Sequence, residues 1–224
     1  MGGCIDSAAR PPLAAARQRG YGLMELAVTL AVAGAVSVGA FVGVRQHLDT
    51  KIVADESGWM LKTIDELDRR FGTLDSYAML GMKRLLGLEN VPLGFLQTAP
   101  LQLSTGFGGR VHVASLNVGG VGSAKAFGWT VSGVPQRLCA DFANAWRAGN
   151  PFALTVQPEE MPNSVENVPN FDWDSNKGAV TARTPVVVVK TSAEAEIDLN
   201  ALVGTTACGT QKPTVALTFI KMKK

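Results

Sequence analysis

RQRGYGLMELAVTLAVAGAVSVGAFVGV, residues 17–44, is the stretch on which the reading of the whole chain turns. From residue 22 to residue 44 there are 23 consecutive residues with one charge, Glu25. As a helix that run spans about 34 Å, enough to cross the roughly 30 Å hydrocarbon core of a bilayer. Arg17 and Arg19 precede it and Arg45 closes it. The bias of Lys and Arg toward the cytoplasmic side would leave the short leader inside and the remainder outside. A cleaved secretory signal has an apolar core of about 7 to 15 residues; this run is longer and carries an internal acid.

The helical spacing continues past the apolar run. In RQHLDTKIVADESGWMLKTIDELDRRF, Met60, Ile64, Leu67 and Phe71 recur at steps of four, three and four, with Leu48 and Ile52 one helical step apart further back. Lys62, Asp65, Glu66, Asp68 and Arg69 fill the other faces. Gly72 suits a helix terminus. The expectation is one helix over residues 23–71, on the order of 74 Å long. Its first half is apolar on every side and needs lipid or other helices. Its second half has one apolar stripe and needs a globular domain on that side. Gly34, Gly39 and Gly43, with Ala31, Ala35 and Ser37, include a four-residue Gly step of the kind that lets helices approach closely.

With 224 residues the chain holds one ordinary domain and an extension. The formal charge of +2 comes from the leader: Arg10, Arg17, Arg19 and Asp6 lie in the first 20 residues, leaving 18 basic and 18 acidic residues beyond them. A nucleic-acid-binding domain concentrates Lys and Arg on one face, and the balance here argues against that class of partner. Three cysteines are present, Cys4, Cys139 and Cys208. Loss of the first 20 residues would remove Cys4 and leave an even number, which points toward an oxidising compartment.

The amino-terminal segment resembles the prepilin signature of type IV pilins. In that family a basic leader ends in Gly, a prepilin peptidase cuts after it, the new first residue is N-methylated and the fifth mature residue is Glu. Gly20 stands at the cleavage glycine, Tyr21 at the methylated residue and Glu25 at the fifth mature position. Tyr21 and Gly22 depart from the usual first two mature residues. The 20-residue leader and the Gly/Ala/Ser texture of MELAVTLAVAGAVSVGAF are most like type IVb pilins. The match covers about 50 residues strongly and the rest more loosely. The resemblance implies an α+β fold, a long helix packed on an antiparallel sheet. It divides the chain into a cleaved leader (1–20), a transmembrane and fibre-core helix half (21–44) and a globular head (45–224).

It also gives the acid a physical role. A carboxylate in the hydrocarbon region costs about 2.5–3.5 kcal/mol on insertion scales, and a buried charge without a partner is strongly destabilising. Cleavage creates a cation, the amino group of Tyr21. When subunits pack as helices in a fibre core, Glu25 of one subunit pairs with the Tyr21 amine of its neighbour and sets the register. The resemblance further implies that Cys139 and Cys208 are the family's carboxy-terminal disulfide pair; two unrelated buried thiols are the alternative.

Downstream, residues 74–87 read as a short second helix and Pro92, Gly94 and Pro100 as a loop. GGRVHVASLNVGG and AFGWTVSGV read as a hairpin. Leu138, Phe142 and Trp146 mark an amphipathic helix that carries Cys139 and ends at Gly149. Residues 158–178 are acidic and punctuated by prolines, a loop; AVTARTPVVVVKT and KPTVALTFIKM are strands.

His47 and His112 are isolated, and no metalloprotease, nucleophile-elbow or phosphate-loop motif occurs. DWDSNKG places Asp172 and Asp174 like the start of a calcium loop, but Gly178 is one place late and Arg183 stands where the closing Glu belongs. No cofactor and no enzyme chemistry is expected. The expected role is that of a structural subunit of a type IVb pilus, held in the bacterial inner membrane as a prepilin and polymerised with its own copies by the pilus assembly machinery into an extracellular filament for adhesion, aggregation or mating. A minor pilin or a secretion pseudopilin is the alternative within the family. Outside it, the alternative is a single-span membrane protein with a periplasmic ligand-binding head.

Overall fold

The structure, a computed structural model, describes residues 22–87, 96–99, 102–117, 124–160, 168–169, 171–174 and 179–223. The chain divides into two compact units, Met1–Gln46 and His47–Lys224. One helix, α1 (Leu23–Phe71, 49 residues), contributes to both, with the bounds that the sequence periodicity predicts.

In the second unit α1 buries Val53, Glu56, Ser57, Met60, Thr63, Ile64, Leu67 and Phe71, a three-four stripe. The predicted Met60, Ile64, Leu67 and Phe71 are all on it. Leu48 is exposed and Ile52 half-buried, so the stripe enters the core through Val53 instead. Each fully buried aliphatic or aromatic side chain on it contributes about 1.5–3 kcal/mol.

That stripe packs in one core with a sheet built from β1 (Leu96–Ala99), β2 (Gln102–Ser104), β3 (Arg110–Leu116), β4 (Ala126–Pro135), β5 (Ala153–Glu159), β8 (Val187–Lys190) and β9 (Thr214–Met222). Their order is β1-β2-β3-β4-β9-β5-β8, and every neighbouring pair is antiparallel. β9 is central and its residues from Thr214 to Ile220 are all buried. Val215, Leu217 and Phe219 join the core that holds α1, whereas Ile220 belongs to a second cluster with Leu116, Ala126, Ala153, Phe171 and Val180. The alternation of successive side chains explains the split. Of the threonines that β9 buries, Thr218 faces Thr130 across the ladder, oxygen to oxygen at 2.9 Å, whereas the Thr214 hydroxyl has no hydrogen-bond partner among the described residues.

The predicted hairpin is present as β3 against β4, paired from Val111↔Val131 to Leu116↔Ala126. The predicted amphipathic helix is α3 (Cys139–Trp146), flanked by short 3-10 turns at Gln136–Leu138 and Arg147–Gly149. Its Phe142 and Trp146 rings lie 5.2 Å apart, and Trp146 meets Phe219 edge-on at 6.0 Å.

Four expectations need correction. The second helix shrinks to α2 (Met82–Leu86). The backbone before it is committed to other partners, with Tyr77 N–H donating to the Ala124 carbonyl and Ser115 N–H to that of Leu80. The loop expected through Pro100 contains β1, paired with β2; Pro92, Gly94 and Pro100 lie outside the described residues. The loop expected over residues 158–178 begins inside β5 and contains β6 (Phe171–Asp174), which pairs with β7 (Ala179–Ala182) as a separate ribbon. AVTARTPVVVVKT is two strands, β7 and β8, broken near Pro185, whose missing N–H cannot serve a ladder. Residues 153–157 of β5 and all of α4 (Leu199–Val203) carry no sequence-based expectation. α4 is capped by Asp198, whose carboxylate accepts from Asn200 and Ala201 N–H.

Candidate functional site

Of the processing residues, Gly20 and Tyr21 lie outside the described residues. Glu25 falls in the first turn of α1 and is exposed, where a carboxylate complements the positive helix end. Among the described residues none pairs with it. Thr29 instead donates its hydroxyl to the Glu25 carbonyl at 3.0 Å and the Leu26 carbonyl at 2.9 Å, so even the polar side chain of the next turn is absorbed by the helix backbone. Ser37 does the same with the Ala33 carbonyl at 2.8 Å.

Residues 22–46 are exposed throughout, including Leu30, Val36, Val38 and Phe41. α1 is the one helix, among the described residues, long and apolar enough to cross a membrane, with a mean hydropathy of 2.1 over its most apolar window. At Gly34, Gly39 and Gly43 an added Cβ would meet no atom within 4 Å. The lack of a side chain there serves no contact with another described residue.

In the second unit the cysteines meet. Cys139, at the start of α3, is bonded to Cys208, in the turn between α4 and β9, with Cα atoms 5.5 Å apart. Gln136 Nε2 donates to the Cys208 carbonyl, fixing the same turn a second time. A bridge of sequence separation 69 stabilises by roughly 4 kcal/mol in the chain-entropy model.

A cleft of about 520 Å³ near the end of α1 is lined by Asp68, Tyr77, Asn150, Phe152, Lys221 and Lys223, among others. Its charged groups all have partners. Tyr77 donates its hydroxyl to Asp68 at 2.9 Å, Lys221 lies 3.7 Å from the same carboxylate, and Lys223 donates to the Phe71 carbonyl at 2.7 Å. Burial and then the Asp68 carboxylate push the Tyr77 hydroxyl well above the usual tyrosine range. These groups close the carbonyl end of α1, where cations are favoured.

Asp172, considered for calcium, stands on β6 and lies 3.6 Å from Arg183; Asp174 ends the same strand. No group of three or more His, Cys, Asp or Glu that could hold a metal occurs among the described residues. His112 sits on β3 and His47 on α1.

Two features escape the sequence reading. Asp49 and Arg137 form a two-pronged pair at 2.9 and 2.8 Å, joining α1 to the turn that leads into α3; nothing in sequence marks partners 88 residues apart. Glu56 is buried on the core stripe of α1. Its signal was available, since an acid four residues before Met60 and three after Val53 must share their face.

No protein-family model matches the sequence, and no curated protein matches it. Among solved structures the chain is similar to TcpA, a type IV pilin from Vibrio cholerae El Tor biotype, at 15% identity and a TM-score of 0.44, covering 77% of this chain and 98% of that one. It is also similar to a type IVb pilin from Salmonella typhi at 18% identity and a TM-score of 0.39, covering 76% of this chain and 93% of that one.

Proposed function

We propose that the chain is a pilin-like structural subunit of a type IV filament, of the type IVb kind. The observation that carries the reading is α1 itself. One 49-residue helix has an exposed, all-round apolar first half with a single acid at its start, and a second half that supplies one wall of a disulfide-linked α+β head. An apolar surface of that size is an assembly element, and a lone intramembrane acid calls for a cation. The prepilin signature supplies both the lipid-held precursor and, through cleavage between Gly20 and Tyr21, the cation.

In this reading the precursor sits in the bacterial inner membrane with residues 45–224 on the periplasmic side. A prepilin peptidase removes residues 1–20 and the Tyr21 amine is methylated. The assembly machinery then transfers the protomer from lipid to a bundle of identical helices. Burial of the apolar half against other copies supplies cohesion, Gly34, Gly39 and Gly43 permit close approach, and the Glu25 to Tyr21 pair sets the register. The work is assembly rather than turnover of a substrate.

Intact-mass analysis of the protein sheared from the cell surface tests this. The expected mass corresponds to a chain beginning at residue 21, with one added methyl group and two hydrogens fewer for the Cys139–Cys208 bond. Surface fibres built from a chain that still begins at Met1 would overturn it. Recovery only from the membrane fraction, with a prepilin peptidase present, would favour a single-span protein with a periplasmic head.

A further inference from the structure

We propose that Glu56 is a pH-operated latch that holds the turn between β2 and β3, residues 105–109, against α1. Glu56 is only 6% exposed. Its Oε1 accepts the Gly106 N–H, while Oε2 is buried and accepts no hydrogen bond from any described residue. The approach is close enough that a Cβ on Gly106 would stand 2.8 Å from Oε1.

The turn is a preformed unit. Thr105 N–H donates to the Gly109 carbonyl at 2.8 Å and Gly108 N–H to the Thr105 carbonyl at 3.0 Å, with Gly108 at φ +82°. Gly109 N–H adds a bond to Thr105 Oγ1 at 3.0 Å. Contacts that join the unit to helices include Glu56 of α1, and the Phe107 ring, edge-on to Phe142 of α3 at 5.7 Å.

No residue of the turn titrates. On its own helix Glu56 is followed back by Asp55, which opposes its ionisation. Asp49 and Arg137 are occupied with each other, and Arg110 opens β3 immediately after the turn. Burial is the first cause that raises the Glu56 carboxyl above its ordinary value; the Gly106 N–H pulls the other way and Asp55 adds to the rise.

A neutral carboxyl keeps Oε1 as an acceptor and leaves no buried charge. Ionisation places half a charge on Oε2, where no donor waits, and the relief is for the turn to swing out and admit water. The sign follows from the raised value. The latch contributes fully at low pH and is lost as pH rises through the folded-state pKa. The inference does not depend on the filament reading.

Amide hydrogen exchange on the full chain in detergent micelles, from pH 4 to 8 and corrected for intrinsic rates, tests it. Protection of residues 105–109 should fall by up to about tenfold per pH unit between the ordinary glutamate value and the raised Glu56 midpoint and level off above it, while the β4–β9 ladder stays constant. In Glu56→Gln the profile should be flat. Carboxyl NMR of the wild-type chain should place the Glu56 midpoint above the ordinary glutamate value and coincident with the loss of protection, a readout that holds even if the variant does not fold. A Glu56 midpoint at or below the ordinary value, or identical profiles for wild type and variant, would overturn the latch.

Discussion

Leu23, Met24 and Phe41 in the first half of α1 are 88%, 81% and 69% exposed, whereas Met60 and Leu67 in the second half are completely buried. Both halves are helical, and both are rich in residues that would fill a core. The difference lies in periodicity. Residues 47–71 place apolar groups every three or four positions and charges between them, so one face finds a sheet and the rest finds water. Residues 22–44 have apolar groups on every face, so no single packed partner can satisfy them. A helix that is apolar all round specifies its surroundings more strongly than it specifies a contact.

The largest effect that would break this contrast concerns Glu25. On the filament reading proposed above, Glu25→Ala should leave a processed protomer whose head melts at the wild-type temperature, yet reduce filament yield in sheared fractions more than tenfold. Normal yield would show that the first half assembles by apolar burial alone. Next comes the bridge, which belongs to the second unit only. Replacing Cys139 and Cys208 by Ser should lower head stability by roughly 4 kcal/mol in guanidinium titrations, without altering the helicity of residues 22–46 in detergent.

A matched pair of truncations sharpens the comparison further. Met60→Ala should cost about 2–5 kcal/mol as a buried cavity mutant. Val36→Ala, at an exposed site, should stay within about 0.5 kcal/mol by the same unfolding assay. Equal costs would mean that the first half is buried in the isolated protomer. A small effect is also expected at the rim of α1: Asp49→Asn breaks the pair with Arg137, whose side chain is 48% exposed. It should cost less than about 1 kcal/mol, decreasing with added salt.

Much of the architecture was legible because it repeats. An unbroken apolar run followed by helical spacing to Phe71 leaves little room for error, and the alternation of Val111 and Val113, or of Val215, Leu217 and Phe219, marks strands by period. The short elements were not legible, for reasons that differ. The four residues of β6 sit in a stretch whose prolines and acids dominate any window average. The segment before α2 has helical composition, but its Tyr77 N–H is taken by the Ala124 carbonyl in the turn before β4 and its Leu80 carbonyl by Ser115 of β3, a tertiary demand that no local pattern records. At the candidate site, Glu25 and the glycines stand out by composition, whereas Glu56 is marked only by sharing the face of Met60, and its bond to Gly106 needed the structure.

β9 carries a consequence for how the head is made. Until residues 214–222 have been delivered, β4 and β5 each lack the neighbour they share, and the sheet exists only as a four-strand piece and a two-strand piece with raw edges. Unpaired strand borders invite association with other chains. In the membrane-held precursor proposed above, the head would keep two open sheet borders until β9 pairs, and the apolar first helix half would hold such unfinished copies apart in the lipid plane.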